Sequence, residues 1–182
     1  MRMKRFVFFA ACLFVAQALF AQSKSGVERS TDVLCLLPSA TGFVAALAQN
    51  DKEGIKELAF SSAAVLALNY GLEAVIRKDR PDGTGHHSFP STHTAVAFNG
   101  ASFLLKRYGW KWGVPAYAVS SYVAWGRVHA KRHDVWDVLG GAALGAGSAL
   151  LLTHPFTKSG NLSIAPATFG QDSYGVHLAL SF

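Results

Sequence analysis

The stretch that decides the fold is Gly126-Arg127-Val128-His129-Ala130-Lys131-Arg132-His133-Asp134-Val135-Trp136-Asp137, which runs straight on into Val138–Thr153. Its first half is dense in cationic and imidazole side chains. From Val138 onward there is no charge, and small residues crowd together: Gly140, Gly141, Ala142, Ala143, Gly145, Ala146 and Gly147. An uncharged apolar run of this length reads as a helix, and small residues along it let a neighbouring backbone approach closely. The polar half therefore caps one end of a buried or membrane-embedded helix. Working outward, the same pattern recurs. Five apolar blocks, Thr31–Gln49, Glu57–Ile76, Thr92–Tyr108, Trp112–Val128 and Val135–Thr153, are separated by polar punctuation. At 1.5 Å per residue each spans roughly 25–30 Å, close to a bilayer's hydrocarbon thickness. The expected fold class is all-α, a bundle of five core helices over residues 22–154.

Composition agrees. The 182 residues are 51% hydrophobic and only 15% charged, with 17 Lys+Arg against 11 Asp+Glu and a net charge of +6. So apolar a chain is not disordered. Its low charge density argues against nucleic acid as a partner. The basic excess still calls for an anion. Residues 1–21 open with Met1-Arg2-Met3-Lys4-Arg5 and run apolar from Phe6 to Ala21, as a secretory signal peptide or N-terminal anchor does. Ala16-Gln17-Ala18 offers a cleavage site. Of the two cysteines, Cys12 lies in that run, so its removal leaves Cys35 without a disulfide partner. In the tail, 155–182, the alternation Tyr174, Val176, Leu178, Leu180, Phe182 and the earlier Leu162–Ala165 read as a short β-hairpin.

Three clusters hold the unusual polar residues: Arg77–Gly83, Ser88–Thr94 and Gly126–Asp137. Two helical blocks separate the second from the third, so the chain returns to the side it left and all three meet at one end. Arg80 and Arg127 are permanently charged forks suited to a tetrahedral oxyanion. Ser91 follows Pro90 and precedes an apolar block, which makes it a helix N-cap. The backbone N–H groups of Ser91, Thr92 and His93 would then point at the same anion. His133 and Asp137 are four apart, so on a helix they share a face, and the carboxylate would fix one imidazole tautomer. The other ring nitrogen is then a nucleophile. His93 is the acid and base. Such a set suffices for phosphoryl transfer through a phosphohistidine.

These motifs resemble those of the type 2 phosphatidic acid phosphatase and vanadium haloperoxidase superfamily. The family's three motifs are Lys, six residues, Arg-Pro; Pro-Ser-Gly-His; and Ser-Arg, five residues, His, three residues, Asp. Arg80-Pro81 ends the first here, Pro90-Ser91-Thr92-His93 matches the second, and Arg127, His133 and Asp137 match the third. The resemblance implies that His133 attacks phosphorus, that Asp137 holds it, and that His93 protonates the leaving oxygen and then activates water. Arg80, Arg127 and Ser91, with the backbone of Thr92, would bind phosphate. It implies no metal and no cofactor. Three positions depart: Glu73 stands where the family has Lys, Thr92 where it has Gly, and Gly126 where it has Ser. A charge reversal beside a phosphate costs on the order of 1–3 kcal/mol.

The expected protein is an exported inner-membrane phosphatase with its site facing the periplasm. Its substrate is a lipid phosphomonoester or diphosphate: phosphatidic acid, phosphatidylglycerol phosphate, undecaprenyl diphosphate or a lipid A phosphate. The alternatives are a soluble secreted acid phosphatase of the same superfamily and a vanadium-dependent haloperoxidase. A rival metal site would draw on His86, His87, His93, His129 and His133. A non-catalytic membrane protein is the reading that Glu73 motivates.

Overall fold

The structure, a computed structural model, describes residues 24–156, 161–168 and 174–181. The signal or anchor expected over 1–21 lies outside the described residues. Six helices are described: α1 (Lys24–Leu34), α2 (Leu37–Ala48), α3 (Lys52–Val75), α4 (Thr92–Tyr108), α5 (Trp110–His129) and α6 (Val135–Leu152). The all-helical bundle holds. The first apolar block does not run as one helix. It is split between α1 and α2 at Cys35-Leu36, because Pro38 lies in the first turn of α2, where the absent N–H costs nothing. The second block starts at Lys52, earlier than the hydropathy indicates, because Asp51 caps it: its carboxylate accepts from the Gly54 N–H at 2.9 Å.

Helix α4 is the hub and packs against α2, α3, α5 and α6. Ala95, Ala97, Ala101, Phe103 and Leu104 along it are at most 1% exposed. Its approach to α6 is set by glycine. A Cβ on Gly145 would run into the Ala95 carbonyl and stand 2.9 Å from the Asn99 nitrogen, and one on Gly141 would strike the Ser91 carbonyl. The outer helices carry large apolar side chains on their open faces, among them Phe43 and Val44 on α2, Phe60 and Leu68 on α3, and Leu151 on α6. Three helical segments, Gly26–Ala48 (which includes the α1–α2 break), Lys52–Val75 and Val135–Leu152, are long and apolar enough to cross a membrane.

At the end of the bundle away from the histidine clusters, Arg107 gathers the chain. Its guanidinium donates to both oxygens of Asp51, at 2.8 and 2.5 Å, to Glu57 at 3.0 Å and to the His154 carbonyl at 2.9 Å. This ties α3, α4 and the exit from α6 together. Beyond the bundle, the tail backbone runs as two antiparallel strands, β1 (Asn161–Thr168) and β2 (Tyr174–Ser181).

Candidate active site

The start of α4, the end of α5 and the start of α6 converge at one end, and the loop between α3 and α4 joins them there. A cavity at this point is lined by Arg80, Thr92, His93, Arg127, Arg132 and His133, together with Glu28, Asp32 and Tyr70. The three sequence clusters do meet. Ser91 and Asp137 are fully buried and are not among the lining residues.

His133 is delivered by a turn. Helix α5 ends at His129, and Lys131 adopts a left-handed conformation (φ 59°). The N–H groups of Arg132 and His133 both reach back to the Arg127 carbonyl, at 3.1 and 3.4 Å. His133 thus precedes α6 instead of lying on it. Its Nδ1 is 2.8 Å from the Ser88 carbonyl and 3.7 Å from the Asp137 carboxylate. The tautomer assignment therefore changes: Ser88, not Asp137, is the direct partner. A carbonyl only accepts, so Nδ1 carries the proton and Nε2 keeps its lone pair. Burial pushes the imidazole down to about 4, and Arg80 and Arg127 act in the same direction against the Ser88 hydrogen bond and Asp137.

Asp137 supports this arrangement from behind. Its carboxylate accepts from the Ser88 hydroxyl at 2.5 Å, from Lys78 Nζ at 2.7 Å and from the Asp134 N–H at 2.9 Å. Asp134 in turn accepts from the Asp137 N–H at 3.0 Å, closing a reciprocal cap on α6. Lys78 also reaches Asp134 at 2.5 Å. Lys78 is thus spent on these two carboxylates and does not replace a phosphate-binding lysine. The Ser91 N–H donates to the Asp137 carbonyl at 3.0 Å, and the Ser91 hydroxyl accepts from Thr94 at 3.1 Å. Ser91 does sit at the N-cap of α4, but its N–H is engaged, so the anion cradle expected of residues 91–93 is reduced to Thr92 and His93.

Arg127 is 2% exposed, and its Nε has no hydrogen-bond partner. Its Nη2 pairs with Asp32 Oδ1, and the same oxygen lies 3.2 Å from His93 Nε2. Arg132 spans Glu28 at 3.0 Å and Asp82 at 3.1 Å. The Asp82 carboxyl is held well below the usual carboxylate range by the Thr84 hydroxyl and N–H and by Arg132. Arg80 has its own N–H on the Gly85 carbonyl, and its Nε donates to the His87 carbonyl at 3.4 Å.

The family comparison agrees with this geometry. The model of the PAP2 superfamily matches residues 60–160, which include every lining residue from Tyr70 to His133. The chain belongs to the PAP2 superfamily. It is a phosphoric ester hydrolase. It is 32% identical over 141 residues to the lipid A 4'-phosphatase of Helicobacter pylori, covering 71% of each chain. A shorter match, 44% over 69 residues, joins it to the lipid A 1-phosphatase of Porphyromonas gingivalis, covering 36% of this chain and 16% of that one. No solved structure matches the chain significantly.

The departures from the PAP2 motifs have structural partners. Glu73 Oε1 accepts from Thr92 Oγ1 and from Asn69 Nδ2, both at 3.0 Å, and Asn69 also donates to Thr92 at 2.8 Å. Two of the departures therefore form one hydrogen-bonded unit at the mouth of α4. Gly126 makes room: a Cβ there would stand 2.5 Å from Thr31 Cγ2. Four lining residues escaped the sequence reading of the PAP2 site: Glu28, Asp32, Tyr70 and Arg132. Glu28 and Asp32 belong to α1, which precedes all three motifs. Among the described residues no group of three or more His, Cys, Asp or Glu is arranged to hold a metal ion, and His129 stacks on Trp125 at 4.9 Å.

Proposed function

We propose that this PAP2 enzyme removes a phosphate group from a lipid through a phosphohistidine on His133, and that the lipid is a lipid A phosphate. The observation that carries the reading is His133, neutral and fixed in the Nδ1–H tautomer, lining the same cavity as three guanidinium groups. The unpartnered Nε of buried Arg127 supports it, since a buried donor without an acceptor is unusual and a phosphate oxygen supplies one. Arg80, Arg127 and Arg132, with the first-turn N–H groups of Thr92 and His93, neutralise the phosphate.

The steps follow from these positions. The His133 Nε2 lone pair attacks phosphorus while the bond to the lipid oxygen breaks. That oxygen takes its proton from His93. Water then attacks the phosphohistidine, giving a proton to His93, and the P–N bond breaks to release orthophosphate and neutral His133. Ser91 acts through the position of α4's first turn. Asp137 acts through Ser88 and Lys78.

The apolar helices and the named relatives support a membrane enzyme. We place it in the inner membrane with the cavity facing the periplasm, after export directed by residues 1–21, and keep the tail hairpin as an appendage outside the reaction. A panel of lipid phosphates (lipid A, phosphatidic acid, phosphatidylglycerol phosphate and undecaprenyl diphosphate) incubated with wild type and His133→Ala tests the reading. Release of phosphate from lipid A by wild type alone supports it. Equal release by His133→Ala, or none from lipid A by wild type, overturns it.

A further inference from the structure

We infer that α1 is a specificity element of this site, whose Glu28 and Asp32 restrict it to phosphomonoesters and exclude diphosphates. The inference rests on the phosphatase reading above and sharpens its substrate class. Glu28 and Asp32 are four apart, one turn of α1, and so share a face. Each takes one guanidinium of the cavity: Glu28 pairs with Arg132 at 3.0 Å, and Asp32 pairs with Arg127. Asp32 Oδ1 is also 3.2 Å from His93 Nε2, so one carboxylate oxygen sits between the anion-binding guanidinium and the proton donor.

The placement of α1 is built into the sequence. Helix α1 packs on α5, and Ser30 Oγ meets Tyr122 Oη at 3.1 Å across that contact. Gly126 permits it, because a Cβ there would stand 2.5 Å from Thr31 Cγ2 and 3.1 Å from Val27 Cγ1. Thr31 is itself fully buried. A serine at position 126 would push α1 outward and withdraw the two carboxylates. The glycine that departs from the family motif is thus the residue that seats the acidic face.

Charge then decides the substrate. Three guanidinium groups line the cavity with two carboxylates, and Asp82 beside it takes Arg132 as well, so Arg80 is the one lining guanidinium with no carboxylate partner among the described residues. A phosphomonoester brings about −1.5 to −2 near neutral pH. A diphosphate brings about one charge more on a second phosphoryl group, with no further arginine to meet it and Asp32 and Glu28 facing it. Like charges at this range in a partly desolvated site oppose binding strongly.

The test uses the full chain in detergent, with lipid A carrying a monophosphate or a diphosphate at the same sugar position as substrates. Orthophosphate and pyrophosphate binding is followed by calorimetry. Wild type favours the monophosphate in kcat/KM by at least about tenfold, the ratio that one modest charge interaction produces. Asp32→Asn and Gly126→Ser both narrow that ratio, chiefly by lowering KM for the diphosphate, and both strengthen pyrophosphate binding relative to orthophosphate. A packing role alone would weaken both substrates together and leave the ratio unmoved. An unchanged ratio in Asp32→Asn, or a wild type that takes both substrates equally, overturns the inference. Absence of turnover on either lipid, with orthophosphate still bound in preference and the preference lost in Asp32→Asn, would sink the phosphatase reading while leaving the charge selection intact. If neither anion binds, both fail.

Discussion

With its ring buried beside Arg80 and Arg127, and against the opposing Ser88 hydrogen bond, His133 stays neutral until the pH falls to about 4. Its protonation is opposed in the folded protein, so the nucleophile is lost only below that value and not near the ordinary imidazole range. The acidic limb of kcat/KM is therefore expected to have its midpoint near 4, read from a pH–rate profile on an aryl phosphate whose leaving group needs no proton, because burial and Arg127 hold the proton donor His93 down to about 4 as well. Asp137→Asn removes one of the two charges that hold Lys78 and weakens the acceptor of the Ser88 hydroxyl. A loss of about 1–3 kcal/mol of stability is expected, seen in thermal melts, with phosphate release reduced because Ser88 positions His133. Glu73 and Thr92 share one hydrogen bond, so Glu73→Gln and Thr92→Val are expected to be non-additive by about 0.5–1 kcal/mol in a double-mutant cycle. The motifs singled out His133, His93, Arg80 and Arg127, and all four line the cavity. Spacing misassigned the partner of His133 because a backbone carbonyl has no side-chain signature, and the left-handed turn that presents it is made at Lys131, where no glycine advertises it.

Among the elements, the contact of α4 with α6 holds the site's two halves together, since α4 opens at Thr92-His93 and α6 opens just after His133. Gly145→Ala would press a methyl into the Ala95 backbone and cost about 1–3 kcal/mol, as overpacked interiors do. The expected readout is a lower melting temperature with a parallel loss of phosphate release. The glycine-rich run announced this close approach. Three of the five apolar blocks, Thr92–Tyr108, Trp112–Val128 and Val135–Thr153, came within two residues of the observed ends at both boundaries, because polar caps and Gly109 punctuate them. The first block hid a break, since Leu36, Leu37 and the Pro38 in the first turn of α2 are all apolar and hydropathy does not register a change of direction. The acidic face of α1 was illegible for a related reason: Glu28 and Asp32 lie upstream of every motif, and only the packing on Gly126 brings them to the cavity.

Across the whole molecule, charge and apolar surface are segregated. Exposed Phe60, Leu68 and Leu151 lie on helices long enough to span a bilayer, while Arg80, Arg127, Arg132, His93 and His133 gather at one end. The protein is expected to remain with the membrane fraction after an alkaline carbonate wash and to need detergent for release; recovery in the soluble fraction would contradict a spanning bundle. At the opposite end, Arg107→Ala leaves the buried Asp51 carboxylate without its guanidinium. It is expected to cost about 3–5 kcal/mol, measured by thermal unfolding in detergent. The claim on which everything else depends is the covalent step at His133. In His93→Ala, an aryl phosphate whose leaving group needs no proton should phosphorylate the protein faster than water clears it. Mass spectrometry is then expected to find an acid-labile phosphate on His133, absent from His133→Ala. Turnover without any phosphorylated histidine, or a phosphate found on another residue, would contradict the account.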